Sequence, residues 1–124
     1  MSNSHGLALA ALMGLLSACG GTTDPIACTE QFVFGLTVEV VDSLSGAPRA
    51  EGATLTLRDG VYVESTTESF DGLSMSGAGE RPGTYVVTLA RAGYHTWSRT
   101  GVVISADECH VIPVSMRAEL QPIP

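Results

Sequence analysis

The side chains able to do chemistry in this chain are scattered, and few stand at motif spacing. His95 and His110 are the histidines downstream of the amino-terminal apolar run. They lie far apart, and no close His-x-His pair sets up a metal site. Glu64, Glu68, Asp71 and Glu80 form an acidic, loop-rich stretch. The alternating Asp-x-Asp-x-Asp-Gly order that wraps calcium is missing from it, so it reads as a solvated loop. The serines fall in turn-like stretches, and no Gly-x-Ser-x-Gly elbow presents one as a nucleophile. No catalytic residue, metal ligand or cofactor is therefore expected. Trp97, the single tryptophan, stands near Tyr94, and the two are the candidate ligand contacts. On an extended strand their odd separation would turn them to opposite faces. One would then be core and the other surface or edge, and Trp97 is the one expected in the core.

The cysteines carry a sharper signal. Leu7 to Leu16 is an apolar run of Leu, Ala, Met and Gly. It is shorter than the roughly 20 residues needed to cross a bilayer, and it matches the roughly 7–15 apolar residues of a secretory signal. Leu16-Ser17-Ala18-Cys19 closes it, and this order resembles the processing site of bacterial lipoproteins. The resemblance implies cleavage before Cys19, acylation of its thiol and attachment to a membrane. Gly20 is not Asp, which by the enterobacterial sorting pattern favours the outer membrane. With Cys19 lipidated, Cys28 and Cys109 remain as one pair in an oxidising compartment, where a structural disulfide is expected. Residues 1–18 are then the signal peptide, 19–31 a lipid-anchored tether, and 32–121 one small domain.

Composition narrows the partners. The net charge is −7, and all six basic residues are arginine, at 49, 58, 81, 91, 99 and 117. Nucleic acid, held by cationic contacts to phosphate, is excluded as a partner. The membrane, through the lipid, and an envelope protein or glycan remain.

The domain must be built from strands. From Phe32 the apolar residues recur every second position: Phe34, Leu36, Val38 and Val40 on one face, Gly35, Thr37 and Glu39 on the other. That is the pattern of a half-buried strand. Turn residues 42–48 interrupt it, and Ala53, Leu55 and Leu57 resume it. Asp59-Gly60 before Val61-Tyr62-Val63 predicts a hairpin with a type I′ turn. Residues 64–80 are ambiguous, with Phe70, Leu73 and Met75 as candidate inward residues. After Arg81-Pro82-Gly83, Tyr85, Val87 and Leu89 alternate again. Ala92-Gly93 turns the chain into two short runs around Gly101. In the last strand Ile112, Val114, Met116, Ala118 and Leu120 share a face. Pro113 cannot donate a ladder hydrogen bond, so that strand belongs near an edge or bulges. Seven or so short strands with no helical period predict an all-β antiparallel sandwich.

The order of these segments resembles a known family. Thr37-Val38-Glu39-Val40-Val41-Asp42 is followed by Ser45-Gly46-Ala47-Pro48 and Gly52-Ala53-Thr54-Leu55. Then come Pro82-Gly83-Thr84-Tyr85-Val86-Val87 and Ala92-Gly93-Tyr94. This succession is similar to the carboxypeptidase regulatory-like domain over residues 32–120. The resemblance implies a seven-stranded Greek-key sandwich of transthyretin (prealbumin) type, preceded here by a cleaved signal peptide. It implies no catalysis, because the matching motifs are turns and strand openings. Two enzyme types with related sandwiches do not fit. The two-Tyr, two-His iron site of intradiol dioxygenases would draw on Tyr62, Tyr85, Tyr94, His95 and His110, and its close histidine pairing is missing. The carboxy-terminal Tyr-Arg-Gly-Ser of hydroxyisourate hydrolase is replaced by Leu120-Gln121-Pro122-Ile123-Pro124. The expected function is that of a non-enzymatic, lipid-anchored interaction or accessory module of the bacterial cell envelope. The alternative is a carbohydrate- or peptide-binding lipoprotein using the loops around Tyr94 and Trp97.

Overall fold

The computed structural model describes residues 27–124. The apolar run, the cleavage site and Cys19 lie outside the described residues. Those described form seven strands and no helix: β1 (Phe34–Asp42), β2 (Ala53–Asp59), β3 (Tyr62–Thr66), β4 (Ser74–Gly79), β5 (Gly83–Arg91), β6 (Trp97–Ile104) and β7 (Val114–Leu120). They make a three-stranded sheet in the order β4-β1-β7 and a four-stranded sheet in the order β3-β2-β5-β6.

The alternation of β1, β2 and β5 explains the core. Leu36, Val38 and Val40 of β1, with Met75, Ala118 and Leu120, are buried from one sheet. Leu55, Leu57, Tyr85, Val87, Leu89, Val102 and Ile104 meet them from the other. Two apolar faces closed on each other make a β-sandwich. Gly35 permits close approach at one end. A Cβ there would stand 2.6 Å from the Ile104 methyl of the opposite sheet and 2.8 Å from the Ala78 carbonyl oxygen.

Several expectations need correction. One pairing is not antiparallel: β7 runs parallel to β1, from Leu36 opposite Val114 to Asp42 opposite Leu120. β6 lies in the other sheet, so the chain crosses over before β7 and arrives in the direction of β1. Phe34 does not join the inward face. It is 44% exposed and packs edge-on against Phe32, with ring centroids 5.1 Å apart. The hairpin loop after β2 is Gly60-Val61, because Asp59 already pairs with Tyr62. Only Gly60 of the two has positive φ, at 59°, which is not the two-residue requirement of type I′. Residues 74–79 form a strand with Met75 buried, whereas Phe70 is 99% exposed. The two runs around Gly101 are one strand, β6, which tolerates Gly101 at φ 67°. Ile112 stays outside β7 and is exposed. Pro113 sits just before β7, an edge strand.

Candidate functional site

Nine residues of β1, at about 3.3 Å each, separate two poles of the sandwich by roughly 30 Å. Each pole gathers polar side chains from distant parts of the chain.

At the pole where β1 begins, Cys28 and Cys109 lie at disulfide distance, with Cα atoms 5.1 Å apart. This is the pair expected from the sequence. Asp107 turns the adjoining loop by accepting hydrogen bonds from the Cys109 and His110 N–H groups, at 2.8 and 2.9 Å. These bonds hold its carboxyl below the usual aspartate pKa. The His110 ring then links two segments. Its Nδ1 lies 2.7 Å from Glu80 Oε1 and its Nε2 lies 3.0 Å from Thr29 Oγ1. A carboxylate only accepts, so Nδ1 carries the proton and donates to Glu80. Glu80 Oε1 also accepts from the Val33 N–H at 2.8 Å. Burial opposes the charge of Glu80, but the bonds from His110 and Val33, with the nearby imidazole, hold its pKa below the usual value. Thr29, His110 and Glu80 stand in the order hydroxyl, imidazole, carboxylate. None of the three lines any of the concavities described below. Their placement ties residues 28–33 to the domain.

At the opposite pole, the Tyr94 hydroxyl donates to Asp42 Oδ2 at 2.7 Å and accepts from Arg49 Nε at 2.8 Å. Asp42 Oδ1 also accepts from the Leu44 and Ser45 N–H groups, at 2.8 and 2.9 Å. The Tyr94 bond, helped by the two backbone bonds, lowers the Asp42 pKa to about 2. Tyr94 therefore braces the loop after β1. Trp97 begins β6, is half-buried and packs on the core. The parity argument for opposite faces does not apply, because Tyr94 precedes β6 and only bridges Pro122. Both rings pack against the core. Trp97 in addition lines a concavity of 250 Å³ with His95, Thr96, Ser98, Glu119 and Gln121.

Two further concavities lie elsewhere. One of 340 Å³ runs over the outer face of the three-stranded sheet, between Thr37, Glu39, Ser115 and Arg117. Another of 170 Å³ lies between Phe34, Glu64, Glu68 and Phe70. The acidic stretch is dispersed in space. Asp71 Oδ1 closes a turn by accepting from the Leu73 and Ser74 N–H groups at 2.9 and 2.7 Å. Glu64 Oε1 accepts from the Ala78 N–H at 2.8 Å, and Glu80 joins His110. Among the described residues no group of three or more His, Cys, Asp or Glu side chains is set to hold a metal ion.

The Glu80–His110–Thr29 chain and the Asp42–Tyr94–Arg49 chain escape sequence reasoning. Their hydrogen-bonded partners are separated by 30 to 81 and by 45 to 52 positions. The one local signal is Asp followed two and three residues later by the N–H groups it caps, which recurs at Asp42, Asp71 and Asp107. No protein-family model matches the chain, and no curated protein matches it at a significant level.

Proposed function

We propose that this chain is a lipid-anchored, non-enzymatic binding module of a bacterial cell envelope, with its sandwich of the Greek-key, transthyretin-like kind found in carboxypeptidase regulatory-like domains. One observation carries the reading: the polarity of the domain. The segment entering from the tether is clasped at one pole by Cys109, His110 and Glu80. The concavity lined by Trp97 lies at the other pole, roughly 30 Å away along β1. A domain held to a membrane through Cys19 would turn the clasped pole toward the lipid and present the far pole. Phe32 and Phe34, 61% and 44% exposed, add apolar surface beside the clasp. The turn motifs behind the family resemblance support it further. Ser45-Gly46-Ala47-Pro48 links β1 to β2, Pro82-Gly83 opens β5, and Ala92-Gly93 turns toward β6. The Leu16-Ser17-Ala18-Cys19 order supports anchoring, with the outer membrane favoured by Gly20.

Metabolic labelling with a fatty-acid analogue tests the anchor. The wild-type chain is expected to carry label and to fractionate with membranes. Cys19→Ala is expected to remain an unlabelled precursor, because the thiol is the acyl acceptor. Equal labelling of both overturns the anchored reading.

A further inference from the structure

The concavity at the far pole has walls fixed to each other. The His95 N–H donates to the Gln121 carbonyl at 2.9 Å, and the Ile123 N–H donates to the Gly93 carbonyl at 2.9 Å. The start of β6 and the segment after β7 are thus joined across the mouth of the sandwich. A site whose walls are set before the ligand arrives loses less ordering entropy on binding. Its lining is one large apolar ring, Trp97, with exposed polar side chains, among them the His95 imidazole, the Glu119 carboxylate and the Gln121 amide.

The chemistry of this lining selects a ligand class. Trp97 is its only large apolar group, so a hydrophobic side chain of a peptide would find one wall and no pocket. An anion would meet Glu119 on a chain of net charge −7. A cation would be repelled by the charge of Arg99, whose guanidinium carbon lies 5.3 Å from the Trp97 ring centre, whereas a neutral ring would not. A neutral sugar ring suits what remains. It offers an apolar C–H face to the indole and a rim of hydroxyls to carboxylate and amide acceptors and donors. At 250 Å³ the concavity falls below the roughly 300–1,000 Å³ of sites that enclose drug-sized molecules. It would take one unit of a longer chain lying across an open surface.

We propose that the concavity between the start of β6 and the end of β7 is a binding site for a neutral oligosaccharide. Trp97 is the stacking platform, and Glu119 and Gln121 hold the hydroxyls. The proposal rests on the binding-module reading and gives that module its ligand class.

Trp97 is the single tryptophan, so its emission reports on this site alone. The purified full chain is titrated with maltotetraose, cellotetraose and chitotetraose, with sialyllactose as the charged comparison. At least one neutral tetrasaccharide is expected to give a saturable change in emission, and sialyllactose a weaker one. Glu119→Ala and Gln121→Ala, both at exposed positions, are expected to keep the wild-type circular dichroism. Each is expected to weaken binding about tenfold, the scale of one hydrogen bond lost to a charged or polar partner. No emission change with any neutral tetrasaccharide overturns the site. So does wild-type affinity retained in both variants, or tighter binding of sialyllactose. Fatty-acid labelling at Cys19 is unaffected by any of these results, so failure of the sugar site and failure of the anchored reading are separate events.

Discussion

The two poles of the sandwich solve one problem with different chemistry. Each must hold a loop-rich end closed around the core. The entry pole uses a cysteine pair 81 positions apart and an imidazole between a hydroxyl and a carboxylate. The far pole uses no sulfur. A tyrosine hydroxyl stands between Asp42 and Arg49, and backbone bonds join residues 93–95 to 121–123. A covalent link resists pulling and changes of pH, which would suit the end that the proposed anchor holds. A hydroxyl between charges fixes geometry while leaving neighbouring polar groups in water, which would suit the proposed ligand site.

The largest effect expected from breaking this contrast is at the entry pole. Cys109→Ser removes closure of a loop of about 80 residues. In the chain-entropy model this costs roughly 4–5 kcal/mol, and engineered cases often show less. Chemical denaturation should show the loss, with β-type circular dichroism kept in the remaining folded state. Non-reducing peptide maps of the wild-type protein should contain Cys28 and Cys109 in one species. Two freely alkylated thiols would remove the covalent half of the comparison.

The core shared by the poles supplies the next effect. Gly35→Ala sets a methyl 2.6 Å from Ile104 and 2.8 Å from a backbone oxygen. The side chain can rotate, but the carbonyl moves only with β4. Overpacking of this kind costs roughly 1–3 kcal/mol. A melting temperature equal to that of the wild type would show that the sheets part there without penalty.

How far these features could be read from sequence depends on their range. Alternation in β1, β2 and β5 is local, and it located most of the core because an inward face every second residue has no other use. It failed at Phe34, where the chain turns its ring onto Phe32, and at Phe70, which sits in a turn ordered by Asp71 and Ser69. The direction of β7 was illegible because parallel pairing depends on which sheet the preceding strand joins. The cysteine pair is legible only through arithmetic: three cysteines less one assigned to lipid. His110 gave no sign of Glu80 or Thr29. The ring chemistry of Trp97 and Tyr94 is visible in the sequence, but the residues that separate their roles, Asp42 bonded to Tyr94 and Glu119 in the concavity with Trp97, come from other strands.

Acid sharpens the comparison at the far pole. Asp42 titrates at about 2 in the folded chain, below its ordinary value near 3.9 in unfolded chains. A lowered carboxyl stabilises the fold fully above the unfolded pKa, and this contribution is lost as pH falls through the folded one. Tyr94→Phe deletes the largest cause of the lowering and leaves the Leu44 and Ser45 N–H groups in place. The Asp42 pKa should rise yet stay below the ordinary range. The acid-unfolding midpoint should move up within the window from about pH 4 to about pH 2. Carboxyl chemical shifts of Asp42 give the pKa directly. Superimposable titrations of wild type and variant would show that the hydroxyl does not brace this pole.

The smallest effect separates the covalent and polar halves of the entry clasp. Thr29→Ala deletes a hydroxyl 3.0 Å from His110 Nε2 and leaves the cysteine pair and the Glu80 contact intact. The contact is exposed, so His110 Nε2 can turn to water instead. The cost should be no more than roughly 0.5–1 kcal/mol, the low range for a net hydrogen bond. The neutral His110 ring should keep its proton on Nδ1, because Glu80, which can only accept, decides the tautomer. Ring nitrogen shifts would read this out. Removing Glu80 instead, in Glu80→Ala, frees both His110 Nδ1 and the Val33 N–H and should let the other tautomer appear. If Thr29→Ala alone switched the tautomer, or cost as much as Cys109→Ser, the hydroxyl would be the organising member of the clasp. The cysteines would then be its reinforcement.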